Sequence, residues 1–121
     1  MITNINFHII DNEFKFEDEY VQKWWDEFIP ECDFYFFNET REEVESFLKE
    51  EIEEYRYFLY DPGSGESDYP ESYRSFKSQI DIVKFVSKTD IYNIDNVIIF
   101  DFITGKTLIV KRYFSIIERD E

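Results

Sequence analysis

Two carboxylates, Asp81 and Asp101, stand inside apolar runs of the sequence, where an unpaired charge is costly. Paired carboxylates can hold a divalent cation or divide general acid and general base roles between them. They define one functional reading, a small metal-dependent enzyme using Asp81 and Asp101. The competing reading gives each a structural partner, a strand-end amide or a neighbouring cation, or simply a place facing solvent. Softer chemistry is limited by count. His8 is the sole histidine and Cys32 the sole cysteine, so no zinc site, histidine-dependent nucleophile or intrachain disulfide can be read. Gly105-Lys106-Thr107 matches the tail of a phosphate-binding loop, but Phe100 stands where the first glycine of that loop is required. Gly63-Ser64-Gly65 lacks the following lysine and lies among acids that repel phosphate. The expectation is therefore a non-enzymatic protein without a cofactor or metal.

Charge points elsewhere. The net charge is −15, from 28 acids and 13 bases. Residues 11–71 hold 21 acids and 5 bases, a net of −16, whereas residues 72–121 hold 7 acids and 8 bases, a net of +1. A net charge of about 2–8 suffices to keep a small domain soluble. The excess argues against direct binding of nucleic acid or anionic membrane. The one basic cluster weighed for such binding, Lys106, Lys111 and Arg112, is small. A line of carboxylates can imitate the phosphates of DNA and speed association with a cationic surface. The charge candidates are Glu42, Glu45, Glu50, Glu53, Glu54 and Asp61, with Tyr57, Tyr60, Tyr69 and Tyr73 as aromatic anchors, since tyrosine is enriched at interface hot spots.

This reading makes the chain an acidic inhibitor of a basic partner, a nuclease or another nucleic-acid-binding protein. Two settings fit: an anti-defence DNA mimic of anti-CRISPR or anti-restriction type, from a phage or mobile element, and an immunity protein against a nuclease toxin. A subunit of a larger assembly is a further alternative, given 14 Phe, 9 Tyr and 2 Trp. No basic leader is followed by an apolar stretch, and no run approaches the roughly 20 apolar residues of a membrane span, so a cytoplasmic location is expected.

The elements that must position these residues form a single domain over 1–121, of α+β class. Residues 2–10 read as a strand. Tyr20, Trp24 and Phe28 recur every fourth residue and predict a helix over 17–29, closed by Pro30. Cys32 to Phe37 reads as a short aromatic strand. Thr40 and Glu43 form a capping-box pattern, and Val44, Phe47, Leu48, Ile52, Tyr55 and Leu59 then predict a helix over 40–59. Two prolines and two glycines mark residues 61–79 as a long loop. Residues 80–87 read as a strand, and 97–104 with 107–117 as a hairpin turning tightly at Gly105-Lys106. The expected fold is a mixed or antiparallel sheet of about five strands, with two helices packed on one face.

Overall fold

The computed structural model describes residues 5–11, 13–29, 41–65, 68–111 and 115–119. The strand expected at 32–37, with Cys32, lies outside them, as do Pro30, Thr40, Glu66 and Arg112.

The class is α+β, with a five-stranded antiparallel sheet at its centre. In chain order the elements are β1 (Phe7–Ile10), β2 (Glu13–Phe16), α1 (Glu19–Phe28), α2 (Arg41–Glu51), β3 (Tyr57–Asp61), β4 (Ser72–Phe76), α3 (Gln79–Lys88), β5 (Ile98–Asp101), β6 (Thr107–Lys111) and β7 (Ser115–Glu118). The main sheet runs β4-β3-β5-β6-β7, and β1 and β2 make a separate hairpin.

α1 and α2 both lie against one face of the sheet, packing Trp24, Phe28, Val44 and Leu48 on Phe58, Tyr60, Phe100 and Phe102. A third helix, α3, packs Ile82 and Val86 against the opposite face, on Tyr57, Leu59, Phe76, Ile99, Leu108 and Val110. The expected arrangement of two helices on one face therefore gains a third helix on the other. Alternation along β3 and β5 feeds both cores: Phe58, Tyr60 and Phe100 go one way, and Tyr57, Leu59 and Ile99 the other. A strand buried on both faces has no polar side to show, which is why Tyr57-Phe58-Leu59-Tyr60 is an unbroken apolar run.

That run corrects the helix expected over 40–59. α2 ends at Glu51, and residues 57–61 are strand. Tyr55 and Leu59 extend the four-residue spacing of the helix by coincidence, while four consecutive aromatic or aliphatic residues suit a central strand better. Past the helix end, the Glu53 N–H donates to the Leu48 carbonyl at 2.8 Å, and Glu54 sits at φ 70. This left-handed conformation is unfavourable for a residue with a Cβ. Glu54→Gly is expected to stabilise the fold by about 0.5–1 kcal/mol, read as a higher urea midpoint at unchanged slope. A lower midpoint would show that the turn carries no strain.

The strand expected at 80–87 is also corrected, because α3 is a helix. Ser78 caps it, its hydroxyl accepting the Asp81 N–H at 3.2 Å. Ile82 and Val86 are its buried i, i+4 pair, and Ile80 is left 67% exposed. β-branched residues favour strands, but packing on the sheet overrides that preference here. The expected loop over 61–79 contains β4.

The C-terminal hairpin exists, but its turn is longer than the two residues expected. Ile98 faces Ile109 and Phe100 faces Thr107, and the Gly105 N–H closes the loop onto the Asp101 carbonyl at 2.8 Å. The register differs by four residues from one centred on Gly105-Lys106, an even number, so each side chain keeps its face. Gly105 has φ 71, and a Cβ there would lie 2.5 Å from the Tyr20 ring. The Lys23 ammonium donates to the Gly105 carbonyl at 2.7 Å. α1 is thus seated directly on the turn.

Candidate functional site

The acidic helices are held by short local devices. Asp18 caps α1, accepting N–H bonds from Tyr20 and Val21, and the Gln22 side-chain amide bridges back to Phe14 and Phe16 of β2. At the start of α2 the Arg41 guanidinium donates to the Phe7 carbonyl at 2.7 Å and lies 4.4 Å from the Phe7 ring centre. The two helices meet where Trp24 stacks on Phe47.

With their apolar stripes against the sheet, both helices turn acids outward. Residues 41–54 carry seven acids and two bases, a net of −5, and residues 13–29 six acids and two bases, a net of −4. Glu42, Glu50 and Glu54 are exposed, and Glu45 and Glu53 half-buried. Glu45 pairs with Arg41 at 2.9 Å, whereas Glu42, Glu50, Glu53 and Glu54 make no ion pair among the described residues. Burial, with Glu50 beside it, pushes the neighbouring Glu51 carboxyl up from its usual value. A carboxyl raised in the folded state favours folding at low pH, and that contribution fades as pH rises past the ordinary carboxylate range.

The aromatic anchors do not join this line of carboxylates as a surface group. Tyr57 is 3% exposed and belongs to the core beneath α3. Tyr60 is 7% exposed in the opposite core, its hydroxyl donating to Glu71. Neither can act as a surface anchor, because alternation in a doubly covered strand buries both. Tyr73 is half-buried, stacked on Phe58 and edge-on to Phe47. Tyr69 packs against Tyr92 with ring centres 5.3 Å apart and donates to Asp90, whose charge raises the Tyr69 hydroxyl above its usual pKa. Asp61 accepts the Gly63 N–H at 2.9 Å and shapes the turn after β3.

Sequence reasoning missed the share of α1. Glu19, Asp26 and Glu27 are exposed on the helix that packs beside α2. The signal was present, since Asp26 and Glu27 fall between the apolar positions 24 and 28 and Glu19 precedes the first of them, Tyr20.

The two carboxylates singled out for catalysis occupy different settings. Asp101 is buried and takes two bonds from Arg56, at 3.1 and 3.0 Å, and the Ile103 N–H at 2.9 Å. Burial alone would push its carboxyl up. The Arg56 guanidinium, the Ile103 N–H and the Thr104 hydroxyl together outweigh that and hold it below the usual value. Asp81 is exposed on the first turn of α3 and lines a groove in which Asp101 takes no part. Among the described residues no three His, Cys, Asp or Glu side chains group as metal ligands, and no helix is long and apolar enough to cross a membrane.

No family model matches the chain, and no curated protein or solved structure matches it either.

Proposed function

We propose that the protein is a binding protein whose acidic α1–α2 layer occupies the basic, nucleic-acid-binding surface of a partner and thereby inhibits it. The observation that carries this reading is the set of carboxylates on α2 and in the turn that follows it, Glu42, Glu50, Glu53 and Glu54, that make no ion pair among the described residues. Uncompensated like charges repel one another and cost stability, so a surface that keeps them gains from a cationic partner. Both settings, an anti-defence DNA mimic and a nuclease-toxin immunity protein, use this same chemistry. A cytoplasmic location accords with either.

The alternative of an enzyme built on Asp81 and Asp101 is weakened by geometry, since Arg56 already engages Asp101 and only Asp81 opens onto the groove.

The test compares the wild type with a Glu42→Gln, Glu50→Gln, Glu54→Gln triple variant in capture from host lysate with rising salt. The wild type should retain a nuclease or DNA-binding protein at low salt and release it as salt rises. With that partner purified, the association rate of the triple variant should fall by roughly tenfold or more. Equal rates for the two proteins, or capture of generically basic proteins alone, would sink the proposal.

A further inference from the structure

Along one edge of the sheet the charge reverses. Residues 72–88 hold Arg74, Lys77, Lys84 and Lys88 against the single acid Asp81. All four cations line one groove of about 580 Å³. None of them makes an ion pair among the described residues, although nearly all of the excess charge elsewhere in the chain is negative. Rings hold two of them in place. The Arg74 guanidinium lies 5.1 Å from the Phe85 ring centre and 5.6 Å from that of Phe76, and the Lys77 ammonium lies 5.9 Å from Tyr55.

The position of the groove decides what it can take. Its lining comes from α2 (Glu50, Glu51), from α3 (Lys84, Lys88) and from β4 between them. Since α2 and α3 cover opposite faces of the sheet, a groove touching both runs along the sheet edge. β4 is that edge: it pairs with β3 on one side and with no strand on the other among the described residues. An edge strand presents unpaired N–H and C=O groups to an incoming strand. The Oγ of Ser75, within β4, is buried without a hydrogen-bond partner among the described residues.

We propose that this edge is a strand-addition site for an extended peptide of alternating charge, its acidic side chains meeting Arg74, Lys84 and Lys88 and its basic side chains meeting Glu50 and Glu51. Successive residues of a strand point to opposite faces, so one peptide serves both walls. A peptide of balanced charge also escapes the long-range repulsion of a molecule carrying −15. A second copy of the chain fits poorly, because two-fold pairing of β4 with itself brings Arg74 against Arg74. The groove shares Glu50 with the acidic layer, but its cations and the β4 edge lie outside that layer, so substitutions at Lys84 and Lys88 test it separately.

The probe is an end-blocked peptide of about eight residues alternating Glu with Lys, beside an isomer of the same composition in two blocks. Titration is followed by amide nuclear magnetic resonance shifts. The alternating peptide should saturate and move the amides of Ser72–Phe76. The block isomer should bind roughly tenfold more weakly, as should the alternating peptide to a Lys84→Glu, Lys88→Glu variant. Both lysines are exposed on α3, and a parallel Lys84→Gln, Lys88→Gln variant with a melting curve guards against a folding defect. Equal affinity for the two isomers, or no β4 shifts at about 5 mM peptide, overturns the proposal. So does a response of the lysines to inorganic phosphate with none to the peptide, which marks a small-anion site instead.

Discussion

Trp24→Ala is expected to cost about 3–5 kcal/mol, enough to leave a domain of ordinary stability close to unfolding. Trp24 is fully buried and joins three elements at once. It meets the Phe58 and Phe102 rings edge-on, at 5.3 and 5.6 Å between centres, and stacks on Phe47 of α2. With no alanine in the sequence, this core is built from large rings that cannot shrink to fill the hole. Urea unfolding followed by far-ultraviolet circular dichroism measures the loss. Trp24→Phe should be milder, within about 1.5 kcal/mol, because the indole Nε1 is buried with no hydrogen-bond partner among the described residues and its removal recovers part of the lost contact. A Trp24→Ala loss below about 1 kcal/mol would mean that α1 is not the element that closes this core.

Asp101→Asn is expected to cost about 3 kcal/mol, the lower part of the range for breaking a buried pair, because the Arg56 side chain is still 35% exposed while that of Asp101 is 4% exposed. The substitution removes the charge that Arg56 answers, at the point where β5 enters its turn. The pH dependence separates this from a packing defect. The Asp101 carboxyl is lowered in the folded state, so its contribution is complete above the ordinary value of 3.8 and is lost as pH falls through the lower folded value. The stability gap between wild type and Asp101→Asn should therefore close as the solution is acidified below 3.8. A gap that stays constant to low pH would assign the effect to shape, not charge.

The sequence made the two helices of the acidic layer legible because their apolar positions obey the helical period and their caps are local. It did not disclose where α2 stops. Val44, Leu48 and Ile52 face the core from the helix and its end, and Leu59, in step with them, faces the other core from a strand. Only the three-dimensional neighbours tell these cases apart. α3 is hidden for the converse reason: Ile80, Ile82, Val83 and Val86 have strand-favouring side chains, and its cap, Ser78, closes a stretch that prolines and glycines mark as a loop. Lys84 and Lys88 are hidden as groove residues with it, since their common wall exists only if 79–88 is a helix. The carboxylates of α2 are legible from charge alone, whereas the burial of Tyr57 and Tyr60 depends on which strand is central, which charge and composition do not give. The hairpin shows the opposite case: a register displaced by an even number of residues from one centred on Gly105-Lys106 leaves every side chain, Phe100 included, on its face.

The sheet also works as an insulator. It keeps an acidic layer on one side and a cation-bearing helix on the other, with layer centres roughly 20 Å apart. Such a molecule has a large permanent dipole moment across its thickness in addition to its net charge. An approaching cationic surface experiences a torque as well as an attraction and is met by the α1–α2 side first. Encounters are pre-oriented over about one screening length, near 8 Å at physiological ionic strength and longer in dilute salt. Orientation, not merely collision frequency, is then set before any side chain touches.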